Sequence, residues 1–141
     1  MDTRTGEQRM LADSVDGFNR RSNDLTRVRQ WRAQYPGFDR AGWKDMADLG
    51  WTGLLVAQEH GGSGLNLEDM AVVAQGLASR LLPEPLAACA VPGVRNLAQC
   101  DEPAINHELL SDLVTGPRLL CGALSDQSGG GLDAPVRTTA L

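Results

Sequence analysis

The chain has 141 residues, 42% of them hydrophobic and only 4% aromatic, with a formal net charge of −5. That length supplies one domain with a core of its own, and the scarcity of rings leaves the core to Leu, Val, Ala and Met, which favours helices over a β-sandwich. The acidic balance excludes a general nucleic-acid binder, which needs a basic surface to displace counterions.

The opening MDTRTGEQRM has no apolar run, so no signal peptide is expected. Thr5 and Gln8 make a capping box for a first helix, whose Met10, Leu11, Val15 and Phe18 share one face. Gly17 weakens its end, and Ser22-Asn23 marks a break. A short second helix carries Leu25, Val28 and Trp31 before Tyr35-Pro36-Gly37 stops it. Residues 1–32 are net positive, and Arg20, Arg21, Arg27, Arg29 and Arg32 read as a solvated face rather than an anion site.

Asp39 is placed to cap a third helix that turns Trp43, Met46, Ala47 and Leu49 inward, with Gly50 as its left-handed end. Residues 51–57 are too short for a long helix and read as extended chain or one turn. Residues 59–64, EHGGSG, form a corner. Asn66, answered by Asp69, caps the most regular helix, with an apolar stripe from Leu67 through Met70, Val73 and Leu77 to Leu81 and Leu82. Pro83-Glu84-Pro85 ends it. A fifth helix runs from Leu86 to about Gln99, and Pro92-Gly93 predicts a kink or two short pieces. The sixth follows Asp101-Glu102-Pro103, with Ile105, Leu109, Leu110, Leu113 and Val114 inward, until Gly116-Pro117. RLLCGALS, residues 118–125, reads as an apolar strand entering a new region. The expected fold is therefore all-α, an orthogonal or up-down bundle of about six helices, with residues 1–117 as the helical domain and 118–141 as the start of a β domain.

The chemistry-bearing residues are few. The corner lacks both the Lys-Ser/Thr of a phosphate loop and the spacing of a dinucleotide fingerprint. Ser63 is not in a Gly-x-Ser-x-Gly elbow, because Leu65 stands at the last position. His60 beside Glu59 has the elements of an acid–base pair, but His107 is distant along the chain, and both read as surface residues. No two or three ligands sit at metal spacing, so no metal site is expected. Cys89, Cys100 and Cys121 are unpaired by number and spacing, and fit reduced, mostly buried thiols of a cytoplasmic protein. No apolar run approaches the ~20 residues of a membrane span.

The succession WKDMADLGWTGLLVAQEHGGSG, a helix, LPEPL and GPRLLCGALS resembles the N-terminal helical domain of the acyl-CoA dehydrogenase family. That family shows a Trp, a Leu-Gly, a short apolar run, a Pro-Glu-Glu-like pair and a Gly-Gly corner in this order. Here Ala57-Gln58-Glu59 stands at the Pro-Glu-Glu position, and the resemblance covers about Glu7 to about Ser128. LPEPL is most similar to branches acting on bulky acyl-CoAs, including those built from two different dehydrogenase-like subunits. The resemblance implies FAD-dependent α,β-desaturation of an acyl-CoA thioester, whose glutamate base lies in a C-terminal helical domain, so no catalytic residue is expected within this chain. It implies that the helical domain lends one wall of the acyl pocket and subunit contacts in a homo- or hetero-oligomer. It also implies that Leu124 and Ser125 are the flavin-contacting residues, Ser125 keeping the hydroxyl of the family's β-domain opening. Gln127 replaces a proline there, Gly131 stands where a phosphate-contacting serine would fall, and the acid is displaced to Asp133. The chain alone is expected to be inert. The alternative is a non-catalytic partner subunit or interaction module of a dehydrogenase-like assembly.

Overall fold

The computed structural model describes residues 3–21 and 25–122. Six α-helices lie among them: α1 Gly6–Arg21, α2 Leu25–Arg32, α3 Arg40–Asp48, α4 Leu67–Ala78, α5 Leu86–Leu97 and α6 Pro103–Thr115. Between α3 and α4, Gln58–His60 forms a single 3-10 turn. α1 packs on α4, α4 on α5, α5 on α6, and α6 returns to α3. The core is Val15, Phe18, Trp43, Met46, Trp51, Leu54, Val56, Met70, Val73, Leu77, Leu86, Ala90, Leu110 and Leu113, all buried. The all-α reading holds. No strand occurs among the described residues, and 118–122 are irregular.

The helix starts follow the expected side-chain caps. Gln8 N–H donates to Thr5 Oγ1 at 3.2 Å while Thr5 N–H donates to Gln8 Oε1 at 3.2 Å. Asp39 accepts from Ala41 N–H at 2.9 Å. Asn66 accepts from the N–H groups of Glu68 and Asp69, at 2.7 and 3.2 Å, and Asp69 returns a carboxylate to Asn66 N–H at 3.1 Å. The buried Asp69 also receives Gln8 Nε2 at 3.2 Å, so the cap of α4 is fastened to α1. Asn66→Ala should cost about 1 kcal/mol, read as a lower urea midpoint at unchanged slope.

The helix ends hold the surprises. Gly50, at φ 79°, closes α3 with Trp51 N–H donating to Met46 carbonyl at 3.0 Å, the six-to-one bond of a Schellman turn. α4 ends in the same way: Leu82 N–H reaches Leu77 carbonyl at 3.4 Å and Leu81 N–H reaches Ala78 carbonyl at 3.0 Å. There the left-handed residue is Leu81, at φ 55°. The apolar stripe therefore stops four residues earlier than the pattern implied, and Leu81 stands 63% exposed. Left-handed backbone costs a branched L-residue about 1 kcal/mol, so Leu81→Gly should stabilise the domain by about 0.5–1 kcal/mol in urea unfolding.

Other expectations fail at single residues. Met10 is 68% exposed, since Leu11, Val15 and Phe18 already occupy the inner arc of α1 and Met10 lies about 100° round from Leu11. Leu49, Leu67 and Ile105 are exposed as well, each at a helix end or first turn where the neighbouring element does not reach. α5 runs unbroken through Pro92. The carbonyl that loses its donor belongs to Ala88, on an exposed face where water can replace the bond.

α2 buries no residue at all. What ties it down is Arg27, which is not part of a solvated arginine face. Its guanidinium donates to Glu84, whose side chain is fully buried, and lies 3.5 Å from Asp39. A Cβ on Gly42 would sit 2.5 Å from Arg27 Nη2 and 2.6 Å from Glu84 Oε1, so α3 is bare where the ion pair crosses it. Gly42→Ala should displace this pair and lower the thermal midpoint.

Candidate functional site

The corner between α3 and α4 positions one side of the candidate site. Thr52 is buried and donates Oγ1–H to Val114 carbonyl at 3.1 Å, and Trp43 donates its indole N–H to Gly116 carbonyl at 3.0 Å. These two bonds pin α3 and the start of the corner to the end of α6. The returning segment of the corner is then laced to the outgoing one. Ser63 N–H donates to Gly53 carbonyl at 3.0 Å, Leu65 N–H to Leu54 carbonyl at 2.9 Å and Gly64 N–H to Val56 carbonyl at 2.8 Å. Gly62 is obligatory in this lacing, because a Cβ there would meet Val56 carbonyl oxygen at 2.1 Å. The Gly-Gly corner is a backbone device. Ser63 faces solvent with its N–H used internally, and no nucleophile is built there.

Leu65, Asn66 and Leu67, carried out of the corner, form one side of an open groove of about 760 Å³. Val94 and Arg95 of α5 and Ala98 and Gln99 just past its end line it as well, together with Leu55 and Glu68. The walls are mainly apolar, and one cation, one anion and two amides stand around them. Such a surface suits an amphipathic molecule with an apolar body and a few polar groups.

His60 and His107 meet. Forty-seven positions apart in sequence, their Nδ1 atoms lie 3.1 Å from each other and their rings are tilted at 53°. The separation along the chain concealed this contact, since it is the corner's reversal that lays the 3-10 turn on α6. Glu59 Oε1 is 3.6 Å from His60 Nε2. Arg118, beyond the end of α6, pairs with Glu108 at 3.1 Å and with Asp112 at 2.7 Å on that helix.

Of the three thiols only Cys89 is buried, while Cys100 and Cys121 are exposed, against the expectation of mostly buried cysteines. Burial pushes the Cys89 thiol up from its ordinary range, with Cys121 adding to the rise and Arg40 opposing it. In the native protein iodoacetamide should therefore label Cys100 and Cys121 well before Cys89, as peptide mass mapping would show. Among the described residues no three His, Cys, Asp or Glu side chains cluster around a common point, and no helix is long and apolar enough to cross a membrane. Leu124 and Ser125 lie outside the described residues.

The described residues thus form six helices in this order, with a laced Gly-Gly corner leading into α4. The profile of the family described as "Acyl-CoA dehydrogenase, N-terminal domain" matches residues 5–116, and the chain belongs to that family. It is 29% identical over 119 residues to acyl-CoA dehydrogenase IpdE2 of Mycobacterium tuberculosis, an alignment covering 84% of this chain and 36% of the relative. Among solved structures it is similar to a variant of the Tcur3481-Tcur3483 steroid ACAD, with a TM-score of 0.80 at 25% identity over 92% of this chain and 35% of that one. It is likewise similar to the ChsE4-ChsE5 complex from Mycobacterium tuberculosis, with a TM-score of 0.79 at 25% identity over 93% of this chain and 36% of that one. The chain thus spans about a third of the length of these relatives.

Proposed function

We propose that this chain serves as the N-terminal part of an FAD-dependent acyl-CoA dehydrogenase acting on a bulky, steroid-derived acyl-CoA thioester. The observation that carries the reading is the apolar groove between the corner, the start of α4 and the end of α5. In this role Leu55, Leu65, Leu67, Val94 and Ala98 offer one wall to the acyl group and exclude water from it. Arg95, Gln99 and Asn66 face its polar substituents. A bound flavin supplies hydride acceptance from the β-carbon, and the contact of Leu124 and Ser125 with it belongs to the same proposal. No residue of this chain is assigned the proton abstraction, which the assembled enzyme's glutamate would perform.

Subunit assembly is part of the reading. The steroid ACAD and ChsE4-ChsE5 neighbours bear two-component names, which support a dehydrogenase-like partner subunit here as well. The same observation favours a second reading, in which the chain completes such an assembly without itself reacting.

The test is reconstitution. The chain purified alone should bind no flavin and turn over no steroidal acyl-CoA. Joined or co-expressed with the remaining dehydrogenase domains, it should yield flavin absorbance and acyl-CoA-dependent dye reduction. Ala98→Trp, which fills the groove from an exposed position, should then raise KM for a bulky acyl-CoA about tenfold or more while leaving domain stability within about 0.5 kcal/mol. Turnover by the isolated chain would overturn its inertness. An unchanged KM would remove the groove from the acyl site, and activity that needs the chain but ignores the groove would favour the non-catalytic reading.

A further inference from the structure

The His60–His107 contact serves neither the groove nor the core. We infer that the two imidazoles form a site for a divalent transition cation of the nickel–copper–zinc group, bridging the corner to α6. This inference stands apart from the proposed dehydrogenase role and does not depend on it.

The argument is geometric first. Metal–imidazole bonds of about 2.0–2.1 Å put two ligand nitrogens about 2.9 Å apart at a right angle and about 3.3 Å apart at the tetrahedral angle. The observed Nδ1···Nδ1 distance of 3.1 Å lies between those values, so an ion seats with a shift of a few tenths of an ångström or less. The second observation is the carboxylate behind the pair. Glu59 Oε1 lies 3.6 Å from His60 Nε2, on the side of the ring away from His107. The Nδ1···Nδ1 contact is a hydrogen bond in the free protein, which a bound ion would replace, and the far side of a ligand imidazole is where metal centres carry a carboxylate. The third is rigidity. The two rings come from different elements, each anchored independently: the corner by its backbone lacing, α6 by Leu110 and Leu113 in the core.

The chemistry then selects the cation. Two imidazole ligands favour nickel, copper and zinc over magnesium or calcium, which want oxygen ligands. With His107 exposed and His60 partly so, water fills the remaining positions. The site is therefore labile rather than a folding element.

The experiment uses the whole chain with Cys100→Ser and Cys121→Ser, since exposed thiols bind the same ions. Nickel and zinc are titrated separately by calorimetry at about pH 7.5. Binding of one ion per chain is expected. His60→Ala or His107→Ala should each weaken it about tenfold or more, and the metal-dependent rise in thermal midpoint should vanish with it. His107→Gln provides the same test with a side chain of closer size, and far-ultraviolet circular dichroism shows that each variant retains its helices. Binding that persists undiminished in the histidine variants, or no binding by the parent at millimolar metal, overturns the site.

Discussion

Arg27→Met should destabilise the domain by about 2–3 kcal/mol, most of it through a residue the mutation does not touch. The Glu84 carboxylate has a fully buried side chain, and Arg27 is the cation it meets. Removing one member of a buried pair strands the other charge in low dielectric, which costs about 3–5 kcal/mol when both are deeply buried. Arg27 is about one-fifth exposed, and α2 can open locally to admit water, so the lower figure applies. The double variant Arg27→Met/Glu84→Leu should recover much of the loss, because apolar groups of similar shape need no counter-charge. Urea unfolding of the wild type, the two single variants and the double variant gives the coupling energy directly. Hydrogen exchange should show α2 losing protection first in Arg27→Met, as the helix buries no side chain of its own. Single variants within about 0.5 kcal/mol of wild type, with no coupling between them, would show that α2 is held by something else.

Trp43→Ala is the other large effect, about 4 kcal/mol by urea unfolding. Its indole is 1% exposed, touches the middle of the core and donates to Gly116 carbonyl, so the truncation opens a cavity and leaves that carbonyl unanswered. Trp43→Phe separates the two terms. It keeps most of the volume and loses the hydrogen bond, for about 1–2 kcal/mol. Trp51 is the control. It is equally buried, sits edge-on to Phe18 at 5.3 Å, and its N–H has no acceptor among the described residues. Trp51→Phe should therefore cost less than Trp43→Phe, since no bond is broken. Equal losses at the two positions would mean that the Trp43–Gly116 bond contributes nothing net.

Local signals carried most of the helical framework. Caps act within three or four residues, so Thr5, Asp39 and Asn66 announced three helix starts, and Gly50 and Gly116 two ends, before any tertiary contact was known. The same locality explains the errors. A stripe of leucines from Leu67 to Leu82 continues past the end of α4, because periodicity cannot register a left-handed turn made by a leucine. Pro92 looks like a break, because the pattern does not show that Ala88 faces water.

The candidate site was less legible than the fold. Its groove is lined from two stretches, 55–68 and 94–99, and neither stretch carries a recognisable ligand motif. The histidine pair and the Arg27–Glu84 bridge join residues 47 and 57 positions apart. No spacing rule connects such residues. They become neighbours only when the corner reverses the chain and the proline-flanked loop after α4 turns Glu84 inward.

What the sequence determined by itself was an all-helical domain of the acyl-CoA dehydrogenase family, written in caps, turn glycines and the order of its apolar runs. What only the tertiary structure decided was which polar residues meet: Glu84 with Arg27, Trp43 with Gly116, and His60 with His107. The reason is physical. Helix starts and ends are set by hydrogen bonds that close over a few residues, whereas pairing across the fold depends on where packed helices bring the chain back.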